Sequence, residues 1–156
     1  MPSLVTVLRE TVNGTDPLGF MPPITAGQAR EYWLSLRPEL YGGSRVLLAA
    51  FAERRLIGSA QLRLPTSPNG LHRAEVQKVF VGDTRRGRGV GRILMDALHD
   101  AARQHGRHLL LLNTRRGGRA EEFYKRLGYQ EIGVVPGYSL GPGGERYDST
   151  ALYHQL

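Results

Sequence analysis

Two features of this 156-residue chain combine residue types and spacing suited to chemistry: Glu75, and the segment Arg85-Arg-Gly-Arg-Gly-Val-Gly91. Glu75 opens the apolar run Val76 to Val81. A carboxylate partly withdrawn from water at such a place can act as a general base. The competing reading makes Glu75 half of a structural ion pair with Arg73 or Lys78. The glycine- and arginine-rich segment suits an anion, because the first N–H groups of a helix lack partners within it and lie at the positive end of its dipole. Gly87, Gly89 and Gly91 carry no Cβ to keep a diphosphate from those donors. Arg85, Arg86, Arg88 and Arg92 add positive charge beside them.

This assignment requires the segment to join a strand to a helix. Val76 to Val81 has strand composition, and Val90, Ile93, Leu94, Ala97, Leu98 and Ala101 recur at helical spacing. The pattern G-x-G-x-x-G fails, since counting from Gly89 its last position is Leu94, and no Gly-Lys-Ser/Thr ending marks a P-loop. What is present is Arg86-x-x-Gly89-x-Gly91 after an apolar strand. As a bland alternative it is an arginine-rich surface turn. A second motif, Ala120-Glu-Glu-Phe-Tyr-Lys-Arg-Leu-Gly-Tyr129, is by itself an amphipathic helix with a glycine stop.

Together these motifs resemble the GNAT superfamily of N-acetyltransferases, with its Q/R-x-x-G-x-G/A loop and its A-x-x-x-Y-x-x-x-G-F/Y helix. Glu10-Thr-Val, Ser59-Ala-Gln-Leu, Arg73-Ala-Glu-Val-Gln-Lys and Pro136-Gly-Tyr resemble more narrowly its tabtoxin-resistance branch, which acetylates tabtoxinine-β-lactam. The resemblance implies an α/β GNAT acyl-CoA N-acyltransferase fold, a mixed central sheet with flanking helices. The family normally begins with a strand before its first helix, whereas this chain starts at about that helix. The strand beginning at Arg45 is therefore expected to lack its outer neighbour, which points to an edge-mediated homodimer or to a start codon placed too late.

The resemblance further implies acetyl-CoA as co-substrate, bound by main-chain groups of Val79, Phe80 and Val81 and by Arg86, Gly87, Arg88, Gly89, Val90, Gly91 and Arg92. The implied acceptor is the primary amine of a small amino-acid-like or toxin-like molecule. Glu75 matches the branch's proposed base, and Tyr124 matches the tyrosine that lies near the coenzyme sulfur and serves as general acid. A half-buried tyrosine bonded to backbone is the bland alternative for Tyr124. Asn113 stands where the branch carries an aspartate. It cannot take a proton, so its expected role is to orient the acceptor or the coenzyme by hydrogen bonding.

The remaining elements can be placed in order. Ser3 is expected to cap a helix with Leu4, Val7, Leu8 and Val12 on one face, stopped at Asn13-Gly14; a loop follows from Thr15 to Pro23. Thr25 and Gln28 spell a capping box for a second helix that turns Trp33 inward. Strands are expected over Arg45 to Glu53 and Leu56 to Leu64, joined by a tight turn, and at Leu109 to Leu112. A short helix from Ala120 to Leu127 precedes terminal strands over Tyr129 to Val135 and Thr150 to Leu156, separated by a loop from Pro136 to Asp148.

Length and 40% hydrophobic content suit one domain spanning residues 1 to 156. With no apolar stretch long enough for a bilayer and no signal peptide, the expected setting is soluble and cytoplasmic. Zero Cys excludes a thiol acyl intermediate, which makes transfer direct, and the His residues show no ligand spacing, so no metal is expected. The net charge of +7 invites a nucleic-acid reading. Against it, the arginines are scattered from Arg9 to Arg146, and aromatic residues do not alternate with basic ones. Two rivals stand beside small-molecule acetylation: acetylation of a protein N-terminus or lysine, and a noncatalytic acyl-CoA-binding or nucleic-acid-binding protein.

Overall fold

The computed structural model describes residues 1–14, 17–82 and 85–156. Thr15 and Asp16 of the expected loop, and Asp83 and Thr84 of the glycine-rich turn, lie outside the described residues. The elements are α1 (Pro2–Gly14), α2 (Ala26–Ser35), α3 (Arg37–Tyr41), β1 (Arg45–Ala52), β2 (Arg55–Arg63), β3 (Arg73–Val81), α4 (Val90–Gln104), β4 (Leu109–Arg115), α5 (Arg119–Arg126), β5 (Gln130–Leu140) and β6 (Arg146–Gln155). They build one six-stranded mixed sheet in the order β1-β2-β3-β4-β6-β5. Among the described residues only β3 and β4 pair in parallel.

Two clusters of apolar side chains sandwich this sheet. Ala74, Val76, Leu110 and Leu112 pack with Leu94, Met95, Leu98 and Tyr124 of α4 and α5. Phe80 packs with Leu8, Val12, Ala29 and Trp33 of α1 and α2. Thr25 and Gln28 form the expected capping box, and Trp33 is buried with its Nε1 donating to the Leu4 carbonyl at 3.1 Å. Ser3 lies inside the first turn instead of capping it, because α1 already begins at Pro2, a residue suited to a first turn where no N–H is needed. The short α3 was not expected; with five residues it carries too little periodicity to be read from sequence.

The β1–β2 turn has positive φ at both Glu53 (48°) and Arg54 (65°), the type I′ geometry that matches strand twist. At the other end of the sheet, pairing of β5 with β6 continues to Leu140 and Arg146, so the expected loop from Pro136 to Asp148 is a longer hairpin. Pro136 and Gly137 fall at an irregularity between Val135 and Ser139, where the ladder slips and then resumes. No helix among the described residues is long and apolar enough to cross a membrane.

Behind α5, His99 stacks on His154 with ring centroids 5.2 Å apart, and its Nε2 lies 3.0 Å from the Tyr129 hydroxyl. Burial, then the charges of His154 and Arg103, pushes the His99 imidazole below the usual range. Its folded value lies under its unfolded value, so protonation favours the unfolded chain. The stability this histidine contributes is therefore full above the unfolded value of about 6.5 and is lost as pH falls below it. Melting curves from pH 7.5 down to about 5.5 should show a falling Tm, and a smaller fall in His99→Gln; the same slope in both proteins would contradict this assignment.

Candidate active site

β3 and β4 run side by side only briefly. Arg73 pairs with Leu109, Ala74 with Leu110 and Glu75 with Leu111, and the ladder then ends although both strands continue. Two causes are visible. β4 continues through Arg115 paired to β6, while β3 carries a bulge where its register with β2 slips between Ser59 and Gln61. Lys78 sits in that bulge with φ of 48°, a left-handed conformation uncommon for a side chain of its size. Its Nζ donates to the Leu18 carbonyl and lies 5.0 Å from the Phe20 ring centroid and 5.9 Å from that of Tyr32. The bulge is thereby held from the α1–α2 side.

A wedge opens beyond Glu75, and the bulge sets what lines it. Ala74 and Val76 face the α4–α5 cluster before the bulge; after it, Val79 and Val81 face that cluster while Phe80 turns to the other. Phe80 is 3% exposed, so only its main chain is available to a ligand in the wedge. Among the described residues, β3 has no ladder partner on its β4 side past Glu75. Main-chain donors of Val79 to Val81 directed there are the ones a carbonyl could reach.

At the wide end of the wedge lies the glycine-rich turn. Gly89 precedes α4 with φ of 80°, Gly87 has φ of 75°, and a Cβ added to either would meet nothing within 4 Å. Among the described residues no side chain caps α4, and Ile93 N–H donates to the Gly89 carbonyl at 3.1 Å. The first N–H groups of a helix lack partners within it, and the space beside Gly87 and Gly89 would admit an anion there. A Cβ on Gly91 would come within 3.3 Å of Phe123, so this glycine also lets α5 pack on α4. Arg86 is half-buried and donates Nε to the Val81 carbonyl at 3.1 Å, folding the turn back on β3. Arg88 is exposed, and Arg92 makes a loose contact of 3.9 Å with Asp96.

Glu75 lies at the vertex, on the α1–α2 side. Its partner is neither Arg73 nor Lys78 but Arg63, directly opposite on β2, with NH1 3.2 Å from Oε1. Gln77 Nε2 adds a contact of 3.3 Å to Oε2. Asn113 is exposed on β4, two residues past the partner of Glu75, and by strand alternation it shares the Glu75 face while Leu110 and Leu112 face the opposite cluster. Tyr124 comes from that opposite side. It is 8% exposed, with its ring 5.4 Å from Phe123 and 5.6 Å from Tyr129 by centroid.

Glu121 fixes the start of the helix that carries Tyr124. A hydrogen bond from Lys125 holds its carboxyl below the usual range, and it also accepts the Gly117 N–H at 2.6 Å. The sequence reading missed three contributors: Arg63, Arg45 and Gln77. Their only sequence signal is polar residues interrupting apolar strands, which does not say what they touch.

The chain matches the Acetyltransferase (GNAT) family over residues 17–129. It belongs to that family. This GNAT chain is thus an acetyl-CoA-dependent N-acetyltransferase. It is 26% identical over 137 residues to the L-methionine sulfoximine/L-methionine sulfone acetyltransferase of Pseudomonas aeruginosa, covering 87% of this chain and 78% of that protein. The ribosomal-protein-alanine N-acetyltransferase of Brucella melitensis shares the fold with a TM-score of 0.82, at 23% identity and covering 99% of this chain and 93% of the other. YncA of Salmonella typhimurium, solved with its cofactor acetyl-CoA, has a TM-score of 0.80 at 20% identity, covering 99% and 87%.

For this GNAT acetyltransferase, Gly89→Ala puts a Cβ on a left-handed residue at about 1–2 kcal/mol. Thermal melts should show a folded protein of slightly lower Tm, and calorimetry a Kd for acetyl-CoA raised about tenfold, one order of magnitude for each ~1.4 kcal/mol lost. Unchanged affinity would remove the turn from the coenzyme site.

Proposed function

We propose that the protein transfers the acetyl group of acetyl-CoA directly to the primary amine of a small amino-acid-like or toxin-like molecule. The observation that carries this reading is the end of β3–β4 pairing at Glu75, which sets a carboxylate at the vertex of a main-chain-lined wedge. The open space at Gly87 and Gly89 fits the diphosphate of the coenzyme. Acetyl-CoA supplies the electrophilic thioester carbonyl. Similarity to an enzyme named for methionine sulfoximine and methionine sulfone supports an amino-acid-like acceptor.

The residues then divide the proton traffic across the sheet. An α-amine, with a pKa of about 7.7–8.0, is mostly protonated at neutral pH, so the nitrogen lone pair must be freed before it can attack the carbonyl carbon. Glu75, directly or through water, takes that proton on the α1–α2 side. As the carbon–sulfur bond breaks, Tyr124 gives its hydroxyl proton to the leaving thiolate from the α5 side; the acylated nitrogen sheds its second proton, which restores the Tyr124 hydroxyl through water, and Glu75 releases the first to solvent. Asn113 orients the acceptor or the coenzyme beside Glu75. Without Cys no thiol acyl-enzyme can form, which fits direct transfer.

Glu75→Gln should lower kcat about 10²-fold or more at neutral pH and progressively less as the pH rises and the amine deprotonates unaided; equal loss at every pH would argue against a base. Tyr124→Phe should lower kcat roughly 10²-fold while leaving acetyl-CoA affinity within about twofold. A panel scored by thiol release decides the acceptor class. Methionine sulfoximine and methionine sulfone should turn over, and peptides with N-terminal alanine should not; preference for the peptides would overturn the small-molecule reading.

A further inference from the structure

On the α2 face of the sheet, a run of side chains ends at Glu75. It begins at Arg45 of β1, whose side chain is 6% exposed. Arg45 Nε and NH2 lie 2.9 and 2.8 Å from Glu39 Oε2. NH1 donates to Gln61 Oε1 at 2.8 Å and to Gln77 Oε1 at 2.9 Å, which occupies both of its N–H bonds. Gln61 is fully buried and faces the Tyr32 hydroxyl, with its Nε2 3.0 Å away.

A guanidinium is donor only, so the group that Gln77 turns to Arg45 must be its carbonyl oxygen. The amide of Gln77 then has one orientation left for its nitrogen, and Nε2 lies 3.3 Å from Glu75 Oε2. Flipping that amide would set N–H against N–H at Arg45 and oxygen against carboxylate at Glu75. The planar fork of Arg45, itself fixed by Glu39, thus dictates which atom meets Glu75 two strands away.

We propose that Gln77, oriented by Arg45, is a positioning residue for Glu75: it tethers Oε2 and leaves Oε1, held among the described residues by the exposed Arg63 alone, as the oxygen that meets the amine. The inference rests on Glu75 being the base. Arg63 is the weaker partner, since its side chain is half exposed and it contacts the carboxylate at 3.2 and 3.3 Å. An arriving ammonium group can displace it. The tether from Gln77 is backed by a buried network and stays.

Gln77→Glu tests this. The variant keeps an acceptor for Arg45 and nearly the same volume, so the fold is retained, yet it turns an oxygen toward Glu75 in place of a donor. The expected result is a fall in kcat of about tenfold or more, with KM for acetyl-CoA within about twofold. In a Glu75→Gln background the same substitution should have almost no further effect, because residues acting through one group are not additive. Gln77→Met removes the donor without adding charge and should follow the same pattern. Wild-type kcat in both Gln77 variants, or an equal fold-loss in both backgrounds, would overturn the inference. A Glu75→Gln enzyme with wild-type turnover would instead overturn the base assignment on which it stands.

Discussion

The site depends on a failure of pairing. A parallel ladder between β3 and β4 would leave no room between them, and it stops after three residue pairs because β3 bends away at Lys78. The bend opposes the ordinary preference of a lysine backbone, and something must hold it. Lys78 itself does so, reaching the Leu18 carbonyl and lying near the rings of Phe20 and Tyr32, so the segment before α2 clamps the bulge from outside. The bulge also reverses which face each later residue of β3 presents, which is why Phe80 anchors the α1–α2 cluster while Val79 and Val81 line the other side.

The two faces of the sheet consequently hold different kinds of interior. The α4–α5 side is apolar around Tyr124, and Gly91 allows Phe123 to approach α4 closely. The α1–α2 side combines a small apolar cluster with a polar layer of buried Arg45 and Gln61 and half-buried Gln77. Leaving one member of such a layer unpaired costs on the order of 1–3 kcal/mol, which gives the layer a single hydrogen-bonding solution. On the proposed reading of Glu75 as base, rigidity at that face aims its oxygens before the amine arrives.

Much of this was legible in the sequence. The glycine-rich turn, the long amphipathic α4 and the capping box of α2 are local patterns, and their positions follow from spacing alone. Glu75 was identified from its place at the head of an apolar strand, but its ionic partner was not, since Arg63 is brought opposite by β2–β3 register. The Arg45–Gln77 contact spans two strand pairings and has no local signature. That Gly91 also makes room for Phe123 was not legible, because sequence does not reveal which helices pack together. Residues joined by register or by packing between helices were, in general, the ones missed.

Backbone amide resonances recorded during titration with coenzyme A test the central claim most directly. Binding in the wedge predicts saturable shifts concentrated on the amides of Val79 to Val81 and Gly89 to Arg92, with little change on β5 and β6. Saturable shifts confined to other surfaces, with those amides unmoved, would contradict it.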